Sequence, residues 1–367
     1  MWRCMTEIFA LSLALLLTSC SQKTEGPAVG IMEPETGQNS VYGSPAANGA
    51  LLALEQAKSE GVTFSILGPE DIAAGGELAR QAYSRLMRYN PVAIVGPGIS
   101  NDMLLVGPLA QRDGVVMIGT TCENVKISEI GDYVFRVYPS YLGIANDLAE
   151  FAVRDRGSRR IAIIAERSNF GRDFTHIFQQ RAQAIGGRVS KIIEHAPEEN
   201  DFRGQIIELL ASNPDSVLMS SQVAQMQAIL RQIREAGYTG LILAPSSFYD
   251  QESVSAVGTP ALGMIVAAYA FDISSQDPKV VSFRDSYRAR FGAEAPQWAA
   301  YGWDAALPII EAIRSGARTS LEIRDYISRK PQFSGLTGNF HFDQNGDVAL
   351  PGRIYEVTAN LDFRVIR

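Results

Sequence analysis

Residues 92–119 read VAIVGPGISNDMLLVGPLAQRDGVVMIG and contain one complete strand–helix–strand unit. Two short apolar runs, Val92–Val95 and Val115–Ile118, are continuous rather than alternating, which is typical of strands buried on both faces of a parallel sheet. The segment between them predicts a helix over Asp102–Gln111, and Gly114 follows it in the position of a helix-ending glycine. The stretch therefore predicts α/β structure with parallel strands and right-handed crossovers.

The same alternation continues on both sides of this unit. Further strands are predicted at 62–67, 161–165, 216–219 and 241–244. Further helices are predicted at 46–60, 142–154, 172–184, 202–211 and 223–236. The alternation covers about 28–138 and about 139–262, which predicts two doubly wound, Rossmann-like halves. A more helical segment at 278–330 and short strands at 337–342, 353–357 and 361–366 follow.

The composition is that of a folded, mildly acidic protein of 367 residues, a length that suits two lobes. Hydrophobic residues make up 46% and charged residues 20%, which excludes wholesale disorder. The formal net charge of −7 argues against a nucleic-acid partner, because phosphate contacts need clustered Lys and Arg. With three Cys and three His, no metal site is expected.

The sequence lacks the common signatures of enzymes and cofactor sites. It has no G-x-G-x-x-G after the first strand, no phosphate-binding G-x-x-x-x-G-K-[ST], no H-E-x-x-H and no G-x-S-x-G. Cys122 beside Glu123 is a conceivable nucleophile, but no His lies near it in sequence, and a small, partly buried hydrophobic side chain is the better interpretation. We expect no catalytic residue and no cofactor.

The first twenty residues predict a targeting segment rather than part of the fold. Ile8–Leu17 is an apolar run of ten residues, too short to span a bilayer but of the right length for the core of a signal peptide. The run ends in Leu17-Thr18-Ser19-Cys20, which resembles the lipobox of bacterial lipoproteins. That resemblance implies a signal peptide over 1–19, a lipidated Cys20 as membrane anchor and a short tether over 20–26. It places the protein in the cell envelope, on the periplasmic or extracytoplasmic side, and leaves inner or outer membrane open.

Several strings in the remaining chain carry a family resemblance. They include Tyr42-Gly43 followed by Asn48-Gly49-Ala50, GDYVFRV at 131–137, LRQIREAG at 230–237 and GLTGNFHFD at 335–343. In this order they resemble type I periplasmic solute-binding proteins, the group that includes the leucine/isoleucine/valine-binding proteins of ABC importers. The resemblance implies two doubly wound lobes joined by three crossings, here 27–138 plus 270–345 and 139–269 plus 346–367. It also implies a ligand cleft between lobes that close by hinge motion.

In the first lobe, the resemblance directs attention to the segments after two strands. Ser100 and Asn101 follow Gly96-Pro97-Gly98 at a predicted helix start, where free backbone N–H groups attract an anion. A Ser that merely caps its own helix is the alternative, because capping and ligand binding need the same residue type. After the next strand, Thr121 aligns with a ligand-binding position, while Glu123 stands where relatives usually have a Thr. A carboxylate there would repel a carboxylate ligand and favour an amine or a neutral polar group; alternatively, Glu123 points outward and Thr121 binds.

Further candidate ligand-binding residues come from the rest of the cleft. Tyr42 is placed in the first strand–helix loop as an aromatic wall, although a plain loop Tyr fits as well. Gln222 replaces an aromatic residue of relatives, which weakens the case for an aliphatic amino acid. Ser247 and Asp250 follow the strand at 241–244, where relatives often carry an acidic group for the ligand's amine. Tyr138 and Tyr141 flank the first crossing and could line the cleft.

The resemblance implies a substrate-binding lipoprotein that captures a small polar solute, such as an amino acid or a related compound, and delivers it to an ABC permease complex. The alternative, in another class, is an outer-membrane lipoprotein of the same fold that binds and regulates a cell-wall synthase or another envelope protein. The departures at Glu123 and Gln222 keep that alternative open.

Overall fold

The fold is taken from a computed structural model, which describes residues 26–37, 39–269, 271–350 and 352–367. The predicted signal peptide, the anchor Cys20 and nearly all of the predicted tether lie outside the described residues. Within the described ranges, no helix is both long and apolar enough to cross a membrane.

The first sheet is built from the strands that the first half of the chain predicts. It contains β1 (Ala28–Glu33), β2 (Ser65–Asp71), β3 (Ala93–Val95), β4 (Val116–Gly119) and β5 (Val134–Arg136), in the order β2-β1-β3-β4-β5 and all parallel. Helices α1 (Ser40–Ser59), α2 (Glu77–Met87) and α3 (Ser100–Asp113) connect the first strands. The carboxyl ends of β1, β3 and β4 therefore lie side by side at one edge, where ligands of such sheets bind.

Two boundaries in this half differ from the predicted ones. Strand β2 starts three residues later than Val62 and runs through Gly68-Pro69 to Asp71. A proline is tolerated there because β2 is an edge strand, whose outer N–H groups need no partner. Helix α1 starts at Ser40 rather than Ala46, so Tyr42 lies in its first turn and not in a loop. Pro45 removes one helical hydrogen bond but does not end the helix, since the segment packs against a later helix.

The second sheet has seven strands. Five are parallel: β6 (Arg160–Glu166), β7 (Arg188–His195), β8 (Ser216–Ser220), β9 (Leu241–Ala244) and β10 (Ile265–Ala268). Its helices are α4 (Tyr141–Glu150, continued by one π turn over Phe151–Asp155), α5 (Asn169–Ala184), α6 (Arg203–Leu210), α7 (Val223–Glu235) and α8 (Gln251–Val257).

The rest of the chain returns to the first sheet and then to the second. Helices α9 (Pro278–Phe291), α10 (Gln297–Arg314) and α11 (Ser320–Arg329) come first, and α10 packs on α1, β3 and β4. A short hairpin, β11 (Phe333–Ser334) and β12 (Asn339–Phe340), follows; only two residues of the strand predicted at 337–342 are in a ladder. Finally β13 (Arg353–Val357) pairs antiparallel with β10, and β14 (Phe363–Val365) pairs antiparallel with β13, giving the order β14-β13-β10-β9-β8-β6-β7. The chain thus passes between the two lobes three times, as predicted.

Close packing fixes the returning helices on the first lobe. Gly302 of α10 lies so near α1 that a Cβ there would overlap the backbone carbonyl of Ala46. Only a glycine allows this approach.

One buried apolar cluster runs from the first sheet through Tyr138 and Tyr141 at the first crossing into the second sheet. The precise lobe boundaries given above remain a prediction; Gly346, just beyond one of them, accepts a hydrogen bond from the backbone N–H of Arg136 in β5.

Candidate functional site

The loops that follow β4 and β9 meet between the lobes. Glu123, after β4, accepts a hydrogen bond from the hydroxyl of Ser246, after β9, at 3.2 Å. Nearby, the ammonium of Lys126 lies 4.0 Å from the carboxylate of Asp173 in α5. The carboxyl ends of the two sheets therefore face each other across a cleft, which is where the candidate residues were sought.

Ser100 joins two loops of the first lobe instead of capping its helix. It is the first residue of α3, whose N-cap is Ile99. The Ser100 hydroxyl oxygen accepts hydrogen bonds from the backbone N–H groups of Glu123 (3.1 Å) and Asn124 (3.3 Å). The capping role considered from the sequence is thus wrong, and the hydroxyl proton of Ser100 is left to donate elsewhere. Asn101, on the same turn, is exposed.

The turn before α3 is held by a carboxyl group that sequence reasoning missed. Glu33 ends β1 and is fully buried; its Oε2 accepts the N–H of Gly98 at 2.9 Å and its Oε1 accepts the hydroxyl of Thr120 at 2.6 Å. Burial raises the pKa of Glu33 to about 8, against the lowering effect of these two hydrogen bonds. The sequence signal was a Glu that directly follows the apolar run of β1.

Thr121 shapes the same turn. Its hydroxyl donates to the carbonyl of Gly98 at 3.1 Å. A Cβ on Gly98 would clash with the Thr121 hydroxyl and lie 2.6 Å from the Thr120 hydroxyl. The glycine is therefore required by close approach of the two strand-end segments. Thr121 is half-buried, so it lies at the cleft surface while Thr120 is inside.

Glu123 projects between the lobes, as its contact with Ser246 shows. Burial raises the pKa of its carboxyl to about 7, with the Ser246 hydrogen bond and the charge of Arg136 acting in the opposite direction. Arg136 does not bind Glu123 directly. Its guanidinium is fully buried and pairs with Asp347 at 2.6 and 2.9 Å, while it also donates to the carbonyl of Asn124 and the hydroxyl of Ser128.

An aromatic wall borders this carboxylate. Half-buried Tyr42 meets the ring of Trp298, near the start of α10, edge-to-face at a centroid distance of 5.2 Å. Buried Tyr138 lies 6.2 Å from Trp298 and 4.9 Å from Tyr301. The backbone N–H of Tyr141, three residues after Tyr138, donates to the backbone carbonyl of Glu123 at 3.0 Å, so this wall lies beside the Glu123 loop. Burial, followed by the charges of Asp250 and Glu123, raises the pKa of Tyr42. Trp298 was missed from sequence because it lies about 250 residues from Tyr42 along the chain.

The candidate ligand-binding residues of the second lobe differ in their exposure and in their hydrogen bonds. Ser247 has a buried hydroxyl without a hydrogen-bond partner among the described residues. Asp250 is exposed, and its carboxylate caps α8 by accepting the N–H of Ser253 at 2.7 Å. Gln222 is exposed at the start of α7, and its backbone N–H approaches Glu166 at 3.4 Å. Tyr141 is buried and donates to Asp173 at 3.2 Å. The structure thus places Glu123 at the junction of the lobes and Tyr42 in the aromatic wall, and it holds Asp250 and Tyr141 in structural hydrogen bonds.

The side chains that could take part in catalysis are buried. Cys122 is buried, and desolvation raises the pKa of its thiol to about 12, so it is no nucleophile at neutral pH. His195 and Ser221 form a hydrogen bond of 2.7 Å, but both side chains are fully buried. Among the described residues, no group of three or more acidic, His or Cys side chains could hold a metal ion.

Comparison with known proteins decides the family. The family model described as periplasmic binding protein matches residues 27–362. The chain belongs to the periplasmic binding protein family. Its members are extracytoplasmic solute-binding proteins and not enzymes, and the resemblance to the leucine/isoleucine/valine-binding group is confirmed.

Individual relatives agree with this assignment. This binding protein is 22% identical over 359 residues to the leucine-, isoleucine-, valine-, threonine- and alanine-binding protein of Pseudomonas aeruginosa, covering 94% of this chain and 93% of that protein. Its fold is similar to that of a leucine-binding protein from Thermotoga maritima, with a TM-score of 0.79, 23% identity and coverage of 93% and 98%. A solute-binding protein from Rhodopseudomonas palustris in complex with 3,4-dihydroxybenzoic acid gives a TM-score of 0.76 at 20% identity, with coverage of 93% and 95%.

Proposed function

We propose that this binding protein serves an ABC importer by capturing a small polar solute, such as an amino acid or a related compound, in the cleft between its lobes. One observation carries the proposal: Glu123 of the first lobe and Ser246 of the second lobe meet through a hydrogen bond across the cleft. Groups from both lobes can therefore enclose a ligand, and closure with exclusion of water strengthens each buried hydrogen bond.

The names of the relatives support a small solute with at least one polar group. The Pseudomonas aeruginosa protein is named for five amino acids, and the Rhodopseudomonas palustris structure holds an aromatic acid. The comparisons do not favour the alternative of an outer-membrane regulator of a cell-wall synthase. The lipobox-like ending at Cys20 supports a lipid anchor that keeps the protein beside its permease at the extracytoplasmic face.

A binding experiment tests the proposal. The purified protein is screened by thermal shift against amino acids, amines and aromatic acids, and hits are measured by calorimetry at pH 7. A true ligand raises the melting temperature in a concentration-dependent way. Ser246→Ala removes the bond between the lobes and is expected to weaken binding by about 2- to 10-fold, because one hydrogen bond contributes about 0.5–1.5 kcal/mol.

Ser84→Ala is the matched control. Ser84 is exposed on α2, where its hydroxyl donates to the carbonyl of Arg80 within its own helix. It should leave binding unchanged. If no small solute shifts the melting temperature and none co-purifies with the protein, the proposed transport function is refuted.

A further inference from the structure

The positive charges near Glu123 are engaged elsewhere. Glu123 accepts a hydrogen bond from the neutral hydroxyl of Ser246, and no salt bridge joins it to a cation among the residues that the structure describes. The charge of Arg136 lowers the pKa of Glu123, but each nitrogen of its guanidinium already donates to Asp347, Ser128 or a backbone carbonyl. Lys126 is directed at Asp173 across the cleft. Within the part of the chain that the structure describes, the carboxylate of Glu123 therefore lacks a counter-ion.

A desolvated carboxylate in a ligand cleft discriminates between ligand charges. It repels a carboxylate and attracts an ammonium group, and both effects grow as closure lowers the local dielectric. Asp250 adds a second negative charge that, after burial and together with Glu123, raises the pKa of Tyr42. The charges around the Tyr42 end of the cleft are thus negative, and a ligand cation would balance them.

The aromatic wall favours the same charge. Tyr42 and Trp298 are half-buried and meet edge-to-face, so part of their ring surface is exposed in the aromatic wall, which Tyr138 continues toward the Glu123 loop. The faces of Trp and Tyr attract cations through their ring quadrupoles, most strongly when the site is desolvated. The rings also offer apolar contact for the carbon atoms that surround an ammonium group.

We propose that the cleft selects a small organic cation, an amine or quaternary ammonium compound, whose charged nitrogen lies between Glu123 and the rings of Tyr42 and Trp298. This inference rests on the proposed solute-binding function and names its ligand class. In this arrangement the first lobe holds the cationic group of the ligand, whereas the family resemblance implied that this lobe would hold a ligand carboxylate. The hydroxyls of Ser100 and Ser247 are the candidates to bind the polar end of such a ligand, since the first has a proton to donate and the second, among the described residues, has no hydrogen-bond partner.

Two matched pairs of probes test the ligand charge by calorimetry. Choline is compared with 3,3-dimethylbutan-1-ol, its neutral carbon analogue, and leucinamide is compared with leucine, which adds a carboxylate. We expect each cationic member without a carboxylate to bind at least about 10-fold more tightly, equivalent to about 1.4 kcal/mol. Benzoate is included as a plain carboxylate and is expected not to compete.

Glu123→Gln tests the assigned residue. The substitution keeps the shape and the hydrogen bond to Ser246 but removes the charge, so choline affinity should fall by about 10-fold or more. Choline affinity of the unchanged protein should also rise between about pH 6 and pH 8, because the carboxyl must lose its proton to attract the cation. This dependence should vanish in Glu123→Gln, since choline itself does not titrate. Glu129→Gln, at an exposed carboxylate six residues away, should change neither property.

The outcomes separate the two proposals. If leucine or benzoate binds more tightly than the matched cations, or if Glu123→Gln folds normally and leaves choline affinity unchanged, the cation inference is overturned while the solute-binding function stands. If no cation, amino acid or aromatic acid binds at all, both are refuted. An unfolding curve of each variant establishes that a loss of binding does not come from a loss of folding.

Discussion

The buried carboxyl group of Glu33 makes the stability of this protein depend on pH in an unusual direction. Its pKa rises from the ordinary 4.5 to about 8 because the side chain is fully enclosed. Below about pH 4.5 the group is protonated in both the folded and the unfolded chain and has no effect. Above that pH the unfolded chain ionises, while the folded protein must retain its proton, so stability falls until about pH 8.

The size of the effect follows from the two pKa values. Each pH unit between them lowers the free energy of unfolding by up to about 1.4 kcal/mol. The total between about pH 4.5 and pH 8 is therefore on the order of 3 to 5 kcal/mol, a large part of the stability of an ordinary domain.

Glu33→Gln isolates this contribution. The amide keeps an oxygen to accept the N–H of Gly98. The Thr120 hydroxyl donates to an ionised Glu33 but can turn to accept from the proton of the neutral acid, and the NH₂ of Gln can donate to it in the same way, so both contacts of the protonated acid are preserved. The variant should match the parent protein at about pH 5 and exceed its stability by on the order of 3 kcal/mol at about pH 8. Other acids with raised pKa values, such as Asp304 at about 6, titrate in both proteins and cancel in the difference.

Urea-induced unfolding, followed by circular dichroism at about pH 5, 6, 7 and 8, measures the difference. Glu198→Gln, at an exposed carboxylate, is the control and should give a curve parallel to that of the parent protein. If the curve of Glu33→Gln is also parallel to the parent, the carboxyl is not desolvated as described. If this variant is less stable at about pH 8, the ionised form is needed and the reasoning is wrong.

Two further predictions concern positions where the fold leaves no freedom. Gly98→Ala should weaken ligand binding by about 10-fold or more, because the added methyl group displaces the turn that carries Thr121. Gly204→Ala in α6, where the new Cβ meets no described atom outside the local helix backbone, should instead stabilise by about 0.5–1 kcal/mol. Calorimetry and melting curves compare the two, and equal effects would contradict the steric argument. Arg136→Met should lower the free energy of unfolding by about 3–5 kcal/mol in urea titrations, because it leaves Asp347 unpaired. Adding Asp347→Leu should restore part of the loss, and a purely additive double variant would show that the pair does not interact.

Much of the framework could be predicted because it depends on local sequence. Continuous apolar runs such as 241–244 became strands with the predicted bounds, since burial on both faces of a parallel sheet requires apolar residues throughout. Errors occurred where context overrides propensity. Strand β2 shifted by several residues because an edge strand needs no continuous apolar run, and α1 began before Pro45 because packing against α10 outweighs one missing hydrogen bond.

The candidate site could be predicted only in part. The segments after β3 and β4 were found because strand ends are read directly from the sequence, and they include Ser100, Thr121 and Glu123. The partners of those residues were not predictable. Trp298 meets Tyr42, and Ser246 meets Glu123, across more than a hundred residues of chain.

The sequence by itself determined the parallel α/β class, the two halves and the order of their strands along the chain, because these follow from apolar periodicity and from the handedness of strand connections. Tertiary structure alone decided the charge environment of the cleft. Whether Glu123 points outward or inward, and whether Arg136 neutralises it, depends on contacts between segments that are distant in sequence. A pKa is set by desolvation and by neighbouring charges in three dimensions, so Glu33 and Glu123 have raised values that no residue pattern reveals.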